Sequence, residues 1–228
     1  AVIIKMNEFV VIPAHNEENN VVEVINKVKI YVDNIIVIDD GSTDNTYDKA
    51  RGGEGREERR VSVLKHEVNL GKGAALKTGC DFALKQGAEK IVVIDADGQH
   101  NPKEIPKFLE ALQNNEIVFS HRTKSKAMPF VLKFGNDFIN KFSSFLFGVN
   151  IKDNQCGYRA FTSDAYKKIR WSASDYYMET EMIINAGKHK LRYTEIPIET
   201  IYADKYKGTT VLDGVKIVLK MLTWRLLR

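Results

Sequence analysis

Short runs of apolar, mostly β-branched residues recur along the chain, and most of them end abruptly in polar residues. Such runs occur at Phe9 to Ile12, Ile35 to Ile38 and Ile91 to Ile94, and each fits a buried strand. Between them lie segments with helical spacing of apolar residues, as in Val21 to Val28. Alternating strands and helices predict an α/β fold with a mainly parallel, right-handed, doubly wound sheet flanked by helices.

Two local boundaries near the start of the chain follow from backbone chemistry. Pro13 has no N–H to donate, so we expect the first strand to stop there. Asn16 is a typical N-cap residue and is expected to begin the helix that contains Val21 to Val28.

The most informative polar residues follow the run Ile91 to Ile94, which we expect to be the central strand. Asp95 and Asp97 point to the same side of an extended backbone, and the small Ala96 between them lets a ligand lie close. Gln99 offers a neutral oxygen in the same direction. An all-oxygen ligand set suits Mg²⁺ or Mn²⁺ rather than Zn²⁺. Taken alone, the motif fits a metal site and an acidic turn equally well.

Other polar residues fall at further strand ends, where doubly wound sheets bind their ligands. They are Asn16, Glu17, Asp39, Asp40 and Arg122. In addition, Gly71-Lys72-Gly73 opens a helix and places a cation beside free backbone amides, which suits an anionic group, although the full P-loop spacing is missing.

Composition excludes several classes of protein. The chain has 228 residues with 34 basic and 30 acidic side chains, a net charge of +4 that is too balanced to indicate a nucleic-acid binder. Cys80 and Cys156 show no metal or redox spacing and indicate a reducing compartment. No uninterrupted apolar run is long enough for a transmembrane helix. We expect a single domain over residues 1–228.

Several motifs, taken in order, resemble those of inverting family 2 glycosyltransferases with the GT-A fold, a Rossmann-like α/β fold. The blocks that carry the resemblance are Pro13 to Glu17, Asp39 to Asp44, Asn69 to Gly73 and Asp95 to His100. Two later blocks, Asp153 to Phe161 and Glu195 to Ile198, resemble the branch that includes dolichyl-phosphate mannose synthase. The resemblance implies a nucleotide-sugar half over about residues 6–122 and an acceptor and interface half over about 123–228.

The resemblance implies an enzyme that moves a hexose from a nucleotide-diphosphate sugar to dolichyl or another polyprenyl phosphate. GDP-mannose is the first expectation, followed by UDP-glucose and UDP-N-acetylglucosamine. Asp95, Asp97 and Gln99 would hold the metal, and Asp95, Asp97 and Arg122 would be catalytic. The implied donor-binding residues are Pro13, Ala14, His15, Glu17, Asp39, Asp40, Lys72, Asp95, Ala96, Asp97, Gln99, Arg122 and Lys205.

The acceptor decides whether the reaction needs a base. A phosphate is already ionised and needs only positioning, whereas a sugar hydroxyl needs a carboxylate base. For a phosphate acceptor, the expected acceptor-binding residues are Lys133, Asp153 and Arg159. For a glycan hydroxyl, the alternative, Asp153, Glu179 and Glu181 are the candidate bases. A non-catalytic nucleotide-sugar binding protein is a third reading, and the intact pair of Asp95 and Asp97 speaks against it.

A lipid acceptor predicts contact with a membrane surface, and we expect a peripheral protein at the cytoplasmic face. Two basic amphipathic helices are predicted toward the C-terminus, over residues 129–146 and 211–228, and each fits either an interfacial helix or a helix packed on the core. Relatives can continue into membrane-spanning segments, so such a segment or subunit outside this chain stays open. At Lys205, relatives carry an arginine, so closure of this loop over the diphosphate is open too.

Overall fold

The computed structural model describes residues 7–52, 60–123, 148–175, 177–199 and 201. Strands and helices alternate along most of this part of the chain, as the apolar pattern predicts. The strands are β1 (Glu8–Ala14), β2 (Asn34–Asp40), β3 (Arg60–His66), β4 (Lys90–Val93), β5 (Ile117–Arg122), β6 (Arg159–Thr162) and β7 (Tyr193–Ile198). The helices are α1 (Val21–Val28), α2 (Thr46–Gly52), α3 (Lys72–Lys85), α4 (Ile105–Ala111), α5 (Ser163–Ile169) and α6 (Tyr177–Lys188), with a 3₁₀ turn at Pro102–Glu104 before α4.

The strands form one seven-stranded sheet in the order β3-β2-β1-β4-β6-β5-β7. β4 lies at its centre, as predicted, and the neighbours β3, β2, β1 and β4 run parallel. β6 is antiparallel to both β4 and β5. β6 therefore begins at the edge where β4 and β5 end, and it brings the segment before Arg159 to that edge.

Each face of the sheet carries its own apolar core, because alternate residues of a strand point to opposite sides. Val11 packs in the core with α3, α5 and α6, whereas Val10 and Ile12 pack in the core with α1 and α4. The sheet is thus covered on both faces, which explains why its strands are continuous apolar runs. No helix in the described ranges is long and apolar enough to cross a membrane.

Both predicted boundaries near the start of the chain are wrong. β1 continues through Pro13, which pairs with Ile38 of β2. β4 pairs with β1 only as far as Val11, so β1 has a ladder partner on one side at Pro13, where a missing N–H is tolerated. Helix α1 begins at Val21 with Asn20 as N-cap, and Asn16 instead adopts a left-handed backbone with φ of 55°.

Candidate active site

Asp95 and Asp97 lie just beyond the end of the central strand. The Ile94 amide donates to the Val11 carbonyl at 3.1 Å, so Asp95 follows the last backbone hydrogen bond between β4 and β1. The Asp97 carboxylate accepts a hydrogen bond from the backbone N–H of Gln99 at 2.9 Å, which closes a short turn. The structure therefore places both carboxylates at the carboxyl edge of the sheet, where the sequence predicts them.

His100 stabilises the backbone under this turn. Its buried ring stacks on Tyr158 with ring centroids 5.1 Å apart, and Nδ1 accepts from the Asp95 amide at 3.4 Å. Burial lowers the pKa of His100 to about 4, against the raising effect of the Asp95 charge. The ring is therefore neutral at pH 7, as an Nδ1 acceptor must be.

Lys72 lies between two carboxylates that come from distant parts of the chain. Its Nζ is 2.8 Å from Asp95 Oδ1 and 3.2 Å from Glu179 Oε1, and the Lys72 side chain is 17% exposed. The sequence predicts that Lys72 faces an anionic ligand. In the structure its charge is directed at Asp95 and Glu179.

The space around the Lys72 amine is set by Gly157. A Cβ on Gly157 would lie 2.7 Å from Lys72 Nζ and 3.0 Å from Asp95 Oδ2. At the base of the same side chain, a Cβ on Gly73 would lie 2.6 Å from the Ala173 carbonyl oxygen. A side chain at Gly73 would clash with the backbone, and a side chain at Gly157 would displace the Lys72 amine.

The two aspartates differ in pKa. Burial raises the pKa of Asp95, but the charge and hydrogen bond of Lys72 act together with the charges of His100 and Arg122, and the pKa is lowered overall. For Asp97, burial and the negative charge of Asp95 prevail, and the pKa is raised. Two partly buried carboxylates that repel each other form a place where a cation would be stabilised.

A divalent cation fits these two carboxylates only with help from the substrate. Within the described ranges, no group of three or more His, Cys, Asp or Glu side chains is arranged to hold a metal ion. Mg²⁺ is commonly bound by one or two carboxylates and completed by substrate phosphates and water, and Asp95 and Asp97 match that pattern. The Gln99 side chain stays a predicted third ligand.

A second part of the edge is built from the loops after β1 and β2. The backbone N–H of Asn16 donates to Ser42 Oγ at 2.9 Å, and the backbone N–H of Thr43 donates to Asn16 Oδ1 at 2.9 Å. The Glu17 amide donates to Thr46 Oγ1 at 2.8 Å. These bonds join the two loops, and Asn16, with its left-handed backbone, takes part through both its backbone N–H and its side-chain oxygen.

Asp39 and Asp40, adjacent in sequence, have different surroundings. Asp40 accepts from the Leu70 and Gly71 amides at 3.0 and 2.8 Å, and its Oδ1 is 2.7 Å from His66 Nδ1. Its carboxylate is therefore committed to holding the loop before α3. Asp39 is also fully buried, yet neither carboxylate oxygen has a hydrogen-bond partner among the described residues.

Arg122 and Asp153 form a bidentate ion pair at the end of β5. Arg122 Nε donates to Asp153 Oδ2 at 2.7 Å, and an η nitrogen donates to Oδ1 at 3.0 Å. The side chains are 19% and 11% exposed. Both oxygens of the predicted base Asp153 therefore accept from Arg122.

Arg159, a predicted acceptor-binding residue, is almost completely buried. It donates to the backbone carbonyls of Cys156, Glu179 and Asn154 at 2.6 to 2.9 Å. In the structure it joins the loop before β6 to the first turn of α6. Each of the three nitrogens of its side chain therefore donates a hydrogen bond within the protein.

Glu181, another candidate base, holds the segment before α6. Its carboxylate accepts from the Ser172 amide and hydroxyl at 2.9 and 2.8 Å and from the Ala173 amide at 2.9 Å. These three hydrogen bonds stabilise the loop before α6.

The other residues predicted to bind the sugar donor differ in exposure. Pro13, Ala14 and Ala96 are buried, whereas His15 is exposed and its Nδ1 is 2.9 Å from the Asp40 carbonyl oxygen. The Glu17 carboxylate accepts from the Asn20 side chain at 2.8 Å. Lys133, Lys205 and both predicted amphipathic helices lie outside the described residues.

Comparison with known proteins identifies the family. The family model described as glycosyl transferase family 2 matches residues 9–170, which is more than half of the chain. The chain belongs to glycosyl transferase family 2. Its matched region begins in β1, ends just after α5 and contains Asp39, Asp95, Asp97 and Arg122.

Curated relatives in this family cover nearly the whole chain. The UDP-N-acetylglucosamine–dolichyl-phosphate N-acetylglucosaminyltransferase of Methanococcus voltae is 36% identical and covers 94% of this chain and 94% of its own length. The polyprenol monophosphomannose synthase of Mycolicibacterium smegmatis is 29% identical over 94% of this chain and 85% of its own length. The family and its polyprenyl-phosphate relatives agree with the resemblance seen in the sequence.

Solved structures give the same fold. Glucosyl-3-phosphoglycerate synthase from Mycobacterium tuberculosis, in complex with UDP, superposes with a TM-score of 0.74 at 20% identity, covering 97% of this chain and 80% of that chain. Another crystal structure of that synthase contains Mn²⁺ together with UDP and glucosyl-3-phosphoglycerate. At this identity the likeness shows the fold, and it confirms the predicted GT-A-like α/β class.

Sequence reasoning missed how Glu179 and Gly157 contribute to the site. Glu179 reaches Lys72 from α6, and Gly157 precedes the antiparallel strand β6. Neither contact follows from local spacing, because both depend on the sheet order. The glycine inside the block Asp153 to Phe161 was the one available signal.

Proposed function

We propose that this protein transfers one sugar from a nucleotide-diphosphate donor to the phosphate of a polyprenyl or dolichyl phosphate. The observation that carries the choice of acceptor is the pairing of the candidate bases. Asp153 is bidentate with Arg122, Glu181 accepts three loop hydrogen bonds, and Glu179 is paired with Lys72. An ionised phosphate needs no base, so a site whose candidate bases are engaged suits it better than a glycan hydroxyl.

The donor would lie along the carboxyl edge of the sheet. Asp39 is a buried carboxylate without a partner among the described residues, and such a group is costly unless a ligand supplies a donor. The N–H and hydroxyl groups of a nucleoside are suitable donors. The loops joined through Asn16 and Ser42 would form one wall of the nucleoside pocket.

The diphosphate would lie beside Asp95 and Asp97. A bound Mg²⁺ or Mn²⁺ would neutralise the charge that develops on the leaving diphosphate, a contribution of several kcal/mol in comparable sites. Asp95 and Asp97 would hold that cation, with Gln99 as the predicted further ligand. Arg122, oriented by Asp153, would contribute positive charge for the diphosphate or the acceptor phosphate.

For the sugar donor we place UDP-N-acetylglucosamine ahead of GDP-mannose. The relative named for UDP-N-acetylglucosamine is 36% identical, and the relative named for phosphomannose transfer is 29% identical. Asp39 accepts hydrogen bonds and offers no choice between uracil and guanine. We also propose that the protein binds at the cytoplasmic face of a membrane, where such a lipid acceptor would be presented.

A donor panel tests the proposal. Purified protein is incubated with dolichyl phosphate, MnCl₂ and, in turn, UDP-N-acetylglucosamine, UDP-glucose or GDP-mannose, and the lipid-linked product is measured. We expect one donor to give product, and we expect chelator or Asp97→Ala to abolish it. Full turnover by Asp97→Ala would contradict the metal role, and no product with any donor would contradict the acceptor.

A further inference from the structure

Glu179 is a buried carboxylate in the first turn of α6, outside the region that the family model matches. It is 2% exposed, its Oε1 is 3.2 Å from Lys72 Nζ, and its Oε2 has no hydrogen-bond partner among the described residues. Burial of a carboxylate costs free energy unless a neighbouring charge compensates it. The neighbour here is Lys72.

The charge balance shows what Glu179 does for Asp95. Lys72 Nζ lies within 3.1 Å of both Asp95 oxygens, so its full positive charge would compete with any cation for that carboxylate. Glu179 Oε1 lies 3.2 Å from the same ammonium group and offsets part of the Lys72 charge. Asp95 then keeps its negative charge available while its position stays fixed by the ammonium group.

The position of the ammonium group is confined by the backbone. Gly157 lies against the Lys72 amine, and a Cβ there would lie 2.7 Å from Nζ, so a methyl group at this position would make the amine shift. Gly73 packs against the carbonyl oxygen of Ala173 at the start of the same helix. Arg159 fixes Glu179 itself, because it donates to the Glu179 carbonyl at 2.7 Å.

We propose that Glu179 is a positioning residue that acts through Lys72: the pair holds the Asp95 carboxylate in place and leaves its charge available to a divalent cation and the donor diphosphate. This role for Glu179 differs from that of a catalytic base. The proposal rests on the proposed function, because it assigns a cation and a diphosphate to Asp95.

Binding of the product nucleotide tests this proposal without turnover. Isothermal titration measures binding of UDP, and of GDP in parallel, in the presence of MnCl₂ to the wild type, Glu179→Gln, Lys72→Met and the double variant. We expect Glu179→Gln to weaken binding about 10- to 100-fold, the range seen when a group behind a metal ligand is changed. In the Lys72→Met background, the same substitution should have little further effect.

Two other variants keep the result decisive. Glu104→Gln removes another buried glutamate that pairs with a lysine, Lys107, and it should leave binding unchanged. Gly157→Ala displaces the Lys72 amine without changing any charge, and it should also weaken nucleotide binding. It replaces Glu179→Gln as the test if circular dichroism shows that Glu179→Gln does not fold.

The outcomes separate the two proposals. Wild-type affinity in both Glu179→Gln and Gly157→Ala, or an equal loss with and without Lys72, would overturn the role of Glu179 and leave the proposed function standing. A folded wild type that binds neither UDP nor GDP with Mn²⁺ would overturn the proposed function and the role of Glu179 with it.

Discussion

Replacement of Asp153 by asparagine separates the two readings of the acceptor. In the structure, Asp153 makes two charge-assisted hydrogen bonds with Arg122, at 2.7 and 3.0 Å, in a largely buried position. Asparagine keeps one acceptor and loses the charge. A hydrogen bond to a charged group contributes about 1.5–3 kcal/mol. The variant should therefore lose about 2 kcal/mol of the interaction that holds the Arg122 side chain in its orientation.

If that energy is felt in the transition state, kcat/KM falls about 30-fold. The loss should act through Arg122, so Asp153→Asn should cost almost nothing further in an Arg122→Met background. The assay is steady-state transfer to polyprenyl phosphate by the four proteins of this double-mutant cycle, across a range of pH.

A catalytic base behaves differently in the same cycle. Loss of a base costs about 10²–10⁴-fold, removes the acidic limb of the pH profile and persists when Arg122 is absent. A loss of that size in the Arg122→Met background would refute the reasoning and favour a hydroxyl acceptor.

Three further predictions concern single carboxylates. Asp39→Asn should weaken UDP or GDP binding about tenfold by calorimetry, since it removes a charged acceptor, and unchanged affinity would exclude Asp39 from the nucleoside pocket. Glu181→Gln should lower the free energy of unfolding in urea by about 1–3 kcal/mol while kcat at saturating substrate stays near wild type; lost kcat in a folded variant would contradict its structural role. Burial raises the pKa of Asp81, but hydrogen bonds such as that from Arg170 outweigh burial, and the pKa is lowered overall. The ionised Asp81 therefore stabilises the fold at pH values above its ordinary pKa, and this contribution is lost as the pH falls through the lowered pKa. Urea unfolding of wild type and Asp81→Asn should therefore converge below about pH 4, and a constant difference would contradict the assignment.

The sequence predicts the parallel part of the sheet well because its strands are covered on both faces. Continuous apolar runs such as Ile35 to Ile38 follow directly from that burial, and so does the placement of Asp95 at a strand end. The central position of β4 follows from the alternation of strands and helices.

Long-range partners of the site residues are not encoded in local spacing. Whether Asp153 acts as a base, binds an acceptor or orients Arg122 depends on how the chain returns through the antiparallel strand β6. Asp39 and Asp40 are adjacent and of the same type, but the loop after β3 donates hydrogen bonds to Asp40 and not to Asp39. At Pro13, a sound local rule failed because β1 is paired on one side there.

One paired measurement tests whether the sugar acceptor is a phosphate. The same polyprenyl chain is offered either as the monophosphate or as the free alcohol, with the preferred nucleotide sugar and Mn²⁺, and lipid-linked sugar is quantified. We expect product from the phosphate alone, because Asp153, Glu179 and Glu181 each pair with other residues of the protein. Equal product from the free alcohol would contradict it.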